Sequence, residues 1–319
     1  MGMGTAAGMV AGRAFAAAVG RLPARWGHAL VRPMAWVSYL SFRHFNARAA
    51  RSAALLTGNA AVSGRERRRR VLGMYRFFYA QAVALMALCR ADAATRAAFF
   101  APAQGLEYLR EALAQGRGVV LIAGHVGYFT LLAPALAAAG HPEAGTVMRP
   151  FRHPLIETLL QRIRERLGLR WFNQRDGHAS LAALKAWLRG NGVVILFMDQ
   201  RTRAGVPVLF LGVDKQTAPG PAMLAMRHAC PVLPVVNVRL PDGRCQLHIG
   251  APVPIARTRA AGGDVRHNTH QCMQAVEATV RAHPEQWFSF TPWWEHWVPP
   301  ADRPGAQVCA PQGAVRVSG

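Results

Sequence analysis

The sequence predicts an α/β fold in which a mixed, largely parallel sheet is flanked by helices and preceded by an N-terminal helical, membrane-associating portion. Three observations support this. Val119 to Ile122 and Val193 to Met198 are charge-free, β-prone runs of the kind found in strands covered on both faces. Around them, apolar residues recur at helical spacing and the helical stretches stop at glycines, so that strands and helices alternate. Three strands then end on polar residues, at His125, Arg149 and Asp199. The carboxyl ends of strands are where α/β sheets place their ligands.

A chain of 319 residues, 51% apolar, can bury a substantial core in one large domain or two small ones. Its formal net charge is +22, supplied almost entirely by arginine. Nucleic acid, an anionic membrane surface and an acidic carrier protein all satisfy such a charge, so motifs must decide between them. Cys89, Cys230, Cys245, Cys272 and Cys309 are widely spaced and form no Cys-x-x-Cys pair, which suggests neither a disulfide framework nor a zinc site. No metal or cofactor is expected. A phosphate-binding Gly-x-x-x-x-Gly-Lys-Ser/Thr loop, a Gly-x-Gly-x-x-Gly fingerprint and a Gly-x-Ser-x-Gly elbow are all missing from the sequence, leaving nucleotide binding and serine hydrolysis without a motif.

Residues 1–22 are rich in Ala and Gly, interrupted by Arg13, and make a poor signal peptide. Ala6 stands where a myristoylation signal has Ser or Thr. Residues 26–45 mix aromatic and basic side chains, a composition suited to the headgroup layer of a bilayer and also to a packing helix. Pro33 is expected to interrupt any single helix there. Residues 46–70 are Ala-rich and basic, and read as a solvated helix face. Residues 71–89 are apolar with one charge, Arg76, and fit an interior or interfacial helix better than a true span. The division expected is a helical, membrane-associating portion over 1–90, an α/β domain over 91–297 and a mobile Pro/Gly-rich tail over 298–319.

Within the α/β portion, a helix over 106–115 leads into the strand at 119–122. Helices follow over 131–139, 155–167 and 181–188, separated by a short strand at 145–148 and an extended piece at 171–172. The strand at 193–198 precedes a hairpin-like stretch at 205–212 and a loop over 214–221. A helix over 222–228, strands over 231–240 and 245–249 joined by a Pro241-Asp242-Gly243 turn, and a helix over 265–282 complete the order. Trp287, Trp293, Trp294 and Trp297 crowd the following segment.

His125 is the candidate for chemistry. Gly124 and Gly127 flank it and let the backbone turn at a strand's carboxyl end, and neutral imidazole accepts a proton near neutral pH. A histidine beside glycines also has a plain structural reading, as a hydrogen-bonded turn residue.

The segment resembles the motif of lysophospholipid-type acyltransferases, in which a histidine is followed after four residues by an acid. Here the residues after His125 are Val126, Gly127, Tyr128, Phe129 and Thr130, so Thr130 replaces the acid. The wider order of features resembles the bacterial lipid A late acyltransferases. It comprises Gly124-His125, Met148-Arg149-Pro150, the strand ending in Asp199-Gln200, the Phe210-Leu211-Gly212 step, Pro219-Gly220-Pro221-Ala222 and Pro284-Glu285-Gln286-Trp287.

That resemblance implies a fatty acyl transfer from an acyl carrier protein thioester to a hydroxyl of a lipid A precursor or another membrane lipid, with His125 as general base. It implies that Arg149 holds phosphate or developing negative charge, that Asp199 holds the loops or orients a base, and that Gln200 and Arg201 line the site's mouth. The partners implied are acyl carrier protein, a membrane lipid acceptor and an anionic membrane surface, at the cytoplasmic face of the bacterial inner membrane, with peripheral or shallow anchoring. A nucleic-acid partner rests on charge alone. With Thr130 neutral, three alternatives stay open: another carboxylate such as Asp199 or Glu157 compensates, the reaction needs less assistance, or the protein is a noncatalytic lipid-binding relative.

Overall fold

The structure is a computed structural model and describes residues 24–58, 63–141, 143–150, 154–200, 202, 205–258 and 261–289. The tail expected over 298–319, and Trp293, Trp294 and Trp297 with it, lie outside the described residues.

Helix α1 (Ala24–Ser41) runs through Pro33, against the expected interruption. Pro33 sits on an exposed face, where a missing backbone donor leaves its would-be acceptor open to solvent rather than orphaned in a core. Helix α2 (Arg43–Leu56) follows, and then α3 (Gly64–Leu88) joins the arginine run and the apolar run into one 25-residue helix. Ser63 caps α3 by accepting from the Glu66 amide at 3.2 Å, and Glu66 in turn bridges Arg69 and Arg70. This is the Ser-x-x-Glu start signal of a helix.

By length and composition α3 is apolar enough to cross a membrane. Of its apolar window, 39% is buried within the protein. Val71, Leu72, Met74 and Tyr75 pack with Ala35, Ala49 and Ala53 of α1 and α2, while Ala84 and Leu88 pack with Tyr128, Leu131 and Cys245. The helix thus bridges the N-terminal portion and the sheet.

After α4 (Ala93–Phe99) the remaining elements are β1 (Phe100–Gln104), α5 (Leu106–Ala114), β2 (Val119–Ala123), α6 (Leu132–Ala138), β3 (Ala144–Met148), α7 (Pro154–Arg166), β4 (Leu169–Asn173), α8 (His178–Arg189), β5 (Val193–Phe197), β6 (Val206–Phe210), β7 (Val213–Thr217), α9 (Gly220–His228), β8 (Val232–Arg239), β9 (Cys245–Ile249) and α10 (Ala261–Ala282). Seven strands form one sheet in the order β1-β9-β8-β2-β5-β3-β4. All neighbours in it are parallel except β8 and β9. This is the mixed, largely parallel sheet that the charge-free strands predicted. β6 and β7 form a separate antiparallel hairpin. The loop expected over 214–221 is therefore strand β7 up to Thr217, with Val213, Lys215 and Thr217 turned inward. A lysine at an inward position hides the alternation that would have revealed the strand.

The sheet is covered on both faces. Side chains alternate along β2, so Val120 and Ile122 join a cluster with Leu184, Leu188, Leu224, Met273 and Val276. Val119, Leu121 and Ala123 join another with Leu109, Ala112, Leu132 and Leu136. Every β2 residue is buried. Truncating Ile122 to Ala would cost about 2–5 kcal/mol.

Candidate active site

Parallel pairing fixes the site before any side chain is considered. β2 and β5 run in register from Val119 opposite Val193 to Ala123 opposite Phe197, and the Met198 amide donates to the Ala123 carbonyl at 3.0 Å. Two residues beyond each strand end come His125 and Asp199, which are thereby neighbours. Glycine is needed on the way. Gly127 has φ +64, and a Cβ there would lie 2.1 Å from the Asn237 carbonyl oxygen, a backbone atom that has no room to yield. At Gly124 a Cβ would already press Val276 at 3.2 Å.

The turn is strapped from two sides. The Tyr128 amide donates to the Asn237 carbonyl at 2.7 Å, fastening it to β8. The Gly127 amide donates to the Gln286 carbonyl at 3.0 Å and the Phe288 amide to the His125 carbonyl at 2.8 Å, fastening it to the segment after α10.

Nδ1 of His125 lies 2.6 Å from Oδ1 of Asp199, and the His125 amide donates to Oδ2 at 2.8 Å. The indole Nε1 of Trp287 donates to the same Oδ2 at 3.0 Å. Asp199 is 3% exposed and Trp287 1%. Burial pushes the Asp199 carboxyl up, but the His125 imidazole and the hydrogen bonds from His125 and Trp287 outweigh it and hold the group below its ordinary value of 3.8. An ionised Asp199 can only accept, so Nδ1 carries the imidazole proton and Nε2 keeps a lone pair. The Nε2 of Gln200 lies 2.9 Å from that lone pair and donates to it. Phe129 and Phe197 flank the ring, at centroid distances of 4.7 and 4.5 Å, and Phe129 leads on to Phe288 and Phe78. The His125 side chain is 12% exposed, so the base stands in an aromatic wall and reaches the surface at one edge.

The other expected residues are distributed unevenly. Thr130 makes no hydrogen bond with the imidazole: its amide donates to Oε1 of Gln81 on α3 at 3.1 Å, and its buried hydroxyl has no partner among the described residues. Glu157, the alternative acid, is paired with Arg164 at 2.9 Å on α7. Arg149 is exposed at the end of β3, where its Nε donates to Oε1 of Gln174 at 3.3 Å. Because β2, β3, β4 and β5 are parallel, Arg149, His125 and Asp199 share one sheet edge. Arg201 lies outside the described residues. No group of three or more His, Cys, Asp or Glu among the described residues is placed to hold a metal.

Sequence reading missed two participants. Trp287 was visible in the Pro-Glu-Gln-Trp step but gave no sign of its bond to Asp199. Lys215, on β7, is 1% exposed and donates to the Met198 carbonyl, one residue before Asp199, at 2.7 Å. Its inward position in a Val-Asp-Lys-Gln-Thr stretch was the available signal.

A family profile described as bacterial lipid A biosynthesis acyltransferase matches residues 3–296. Two curated relatives, phosphatidylinositol mannoside acyltransferases from two strains of Mycobacterium tuberculosis, are each 31% identical over 195 residues. The match covers 60% of this chain and 58% of each relative's length.

Proposed function

Because the chain belongs to the bacterial lipid A biosynthesis acyltransferase family, we propose that it moves a fatty acyl group from an acyl carrier protein thioester to a hydroxyl of an anionic glycolipid, with His125 as general base. The relatives' name, phosphatidylinositol mannoside acyltransferase, favours a sugar hydroxyl on a glycosylated phospholipid as acceptor. The family description favours one on a lipid A precursor. Both acceptors present a sugar alcohol beside negative charge and fatty chains.

The reading rests above all on the Asp199 carboxylate held 2.6 Å from Nδ1 of His125. It supplies the acid that Thr130 does not, and so weighs for an enzyme over a noncatalytic lipid-binding relative. In the proposed reaction the acceptor hydroxyl displaces the Gln200 amide from Nε2. Nε2 then takes the hydroxyl proton as the oxygen attacks the thioester carbonyl. Asp199 stabilises the imidazolium that forms, and the imidazolium returns its proton to the leaving thiolate as the carbon–sulfur bond breaks. Phe129, Phe197 and Phe288 would line the path of a fatty chain, and Arg149 on the same edge would hold phosphate through its planar fork.

Membrane contact is assigned to α1 and the turn after it. Val37 is 63% and Leu40 69% exposed, beside exposed Phe42 and Phe45. Arg48 lies over the Phe45 ring and Arg68 over Trp36, the mixture of cations and rings that suits a headgroup layer. The placement proposed is peripheral, on the cytoplasmic face of the inner membrane, where the net charge of +22 would gather an acidic carrier protein and anionic lipid.

The test is incubation of the protein with acyl carrier protein bearing a labelled acyl thioester and with extracted membrane lipids. Labelled lipid with one added acyl chain, identified by mass spectrometry, is the expected product. Recovery of all label on the carrier or as free fatty acid would sink the assignment.

A further inference from the structure

The chain has 38 cationic residues, of which two, Lys185 and Lys215, are lysines. One of these two is the cation sealed behind the candidate site. Lys215 projects inward from β7, is 1% exposed, and its ammonium donates to the Met198 carbonyl at 2.7 Å and to the Thr217 hydroxyl at 3.1 Å. Met198 is the residue through which β5 passes into Asp199. An arginine fork needs more room and more acceptors than one carbonyl and one hydroxyl provide, whereas an ammonium is a compact point charge that fits.

We infer that Lys215 is a positioning residue of the transfer site. Its ammonium pins the turn that presents Asp199 and adds a favourable charge near the carboxylate that His125 and Trp287 hold ionised. The kinetic part of this inference rests on the acyl-transfer reading, and the electrostatic part does not.

The surroundings leave the ammonium few other charges to answer. Across the hairpin, α10 offers Met273, whose sulfur takes the Thr217 hydroxyl at 3.8 Å. The carboxylate of α10 at Glu277 is turned to the Leu211 amide and to Arg281, both at 2.7 Å. Asp199 is the titratable group that acts on Lys215, and it favours the charged form. Burial works the other way and pushes the Lys215 amine down to about 8. A buried cation is costly to fold. Its presence under a turn whose adjacent carboxylate orients the base fits a site that exchanges stability for electrostatics.

The sign of the effect follows. A positive charge behind Asp199 disfavours a second positive charge on the imidazole that Asp199 orients. Replacing Lys215 with Met keeps the length and removes the charge. In Lys215→Met the imidazole titration and the acid limb of the transfer rate should both move to higher pH. The rate below the limb then falls, about tenfold for each pH unit that the limb moves, and any loss left on the plateau reports the loosened turn.

The experiment measures both the pH profile of acyl transfer and the titration of His125 by NMR, in the native protein and in Lys215→Met. A folded variant with an unmoved imidazole titration overturns the inference. A second measurement keeps the question decidable if Lys215→Met does not fold. Two lysines give two side-chain resonances, so the Lys215 amine can be titrated directly. Coupling is reciprocal, and Asp199→Asn should lower that titration further. An identical lysine titration in Asp199→Asn and in the native protein overturns the inference. If the native protein transfers no acyl group, the proposed function fails, while the two titrations still judge the role of Lys215.

Discussion

Asp199→Asn isolates the electrostatic part of the proposed chemistry while keeping the side chain's shape. Oδ2 of Asp199 accepts from two fixed donors, the His125 amide at 2.8 Å and Trp287 Nε1 at 3.0 Å, whereas Oδ1 faces Nδ1 of His125 at 2.6 Å. An asparagine must keep its oxygen at the two-donor position, because turning its NH2 there would set it against two buried N–H groups. The amide nitrogen is then left facing Nδ1. Nδ1 must become the acceptor, the imidazole proton moves to Nε2, and the lone pair that should take the substrate proton is gone. The loss expected is about 10⁴-fold in kcat, or about 5.5 kcal/mol, the scale seen when the acid of a catalytic triad is neutralised. The variant should still fold, because all three hydrogen bonds survive in altered polarity, at a melting temperature lowered by the loss of the buried carboxylate charge. The assay is single-turnover transfer from a labelled carrier thioester, with a thermal melt in parallel. A folded Asp199→Asn variant within tenfold of native turnover would refute the reasoning.

Four other outcomes are expected from the same contacts. Gln200→Ala should lower the acceptor KM a few-fold with kcat little changed, because a hydrogen bond worth about 0.5–1.5 kcal/mol no longer has to be displaced from Nε2; a hundredfold fall in kcat would instead place the amide on the reacting atoms. Gly127→Ala forces a side chain onto the Asn237 carbonyl at positive φ and should cost about 3 kcal/mol or more in a denaturant titration. The Lys215 amine titrates at about 8 when folded against an ordinary 10.5, so the unfolded chain holds the extra proton between those values and stability rises across them by about 3 kcal/mol; denaturant curves of Lys215→Met should lack that rise. The Asp199 carboxyl is held below its ordinary 3.8, so its contribution to stability is present above that value and is lost as pH falls through the lowered one, and acid unfolding of Asp199→Asn should lack that component.

The parallel sheet was legible because strands covered on both faces must be apolar throughout, and β2 and β5 are written that way. β1 was not legible. Phe100–Gln104 is short, contains Pro102, and is a strand because β9 pairs with it in parallel. Pro33 misled for a related reason: a helix break is decided by whether the unbonded acceptor is buried, which depends on the tertiary face. At the site, His125 could be found from its glycines and the turn they allow. Its acid was legible only as one of two alternatives, Asp199 or Glu157, because a motif is read along the chain whereas the partner comes from the adjacent strand, 74 residues on. The in-register pairing of β2 with β5 makes that contact, and nothing near Thr130 announces it. Lys215 was hidden by the habit of reading a charged residue as exposed, which fails where a carbonyl and a hydroxyl stand ready to receive it.

The most direct test of the account is transfer by His125→Ala, measured in single turnover with acyl carrier protein thioester and the glycolipid acceptor at saturating concentration. With its fold intact, the variant should lose at least about ten-thousandfold in rate, from the top of the usual worth of general base catalysis toward that of a whole catalytic unit. Retained turnover in a folded His125→Ala protein would contradict it and move the chemistry to another residue.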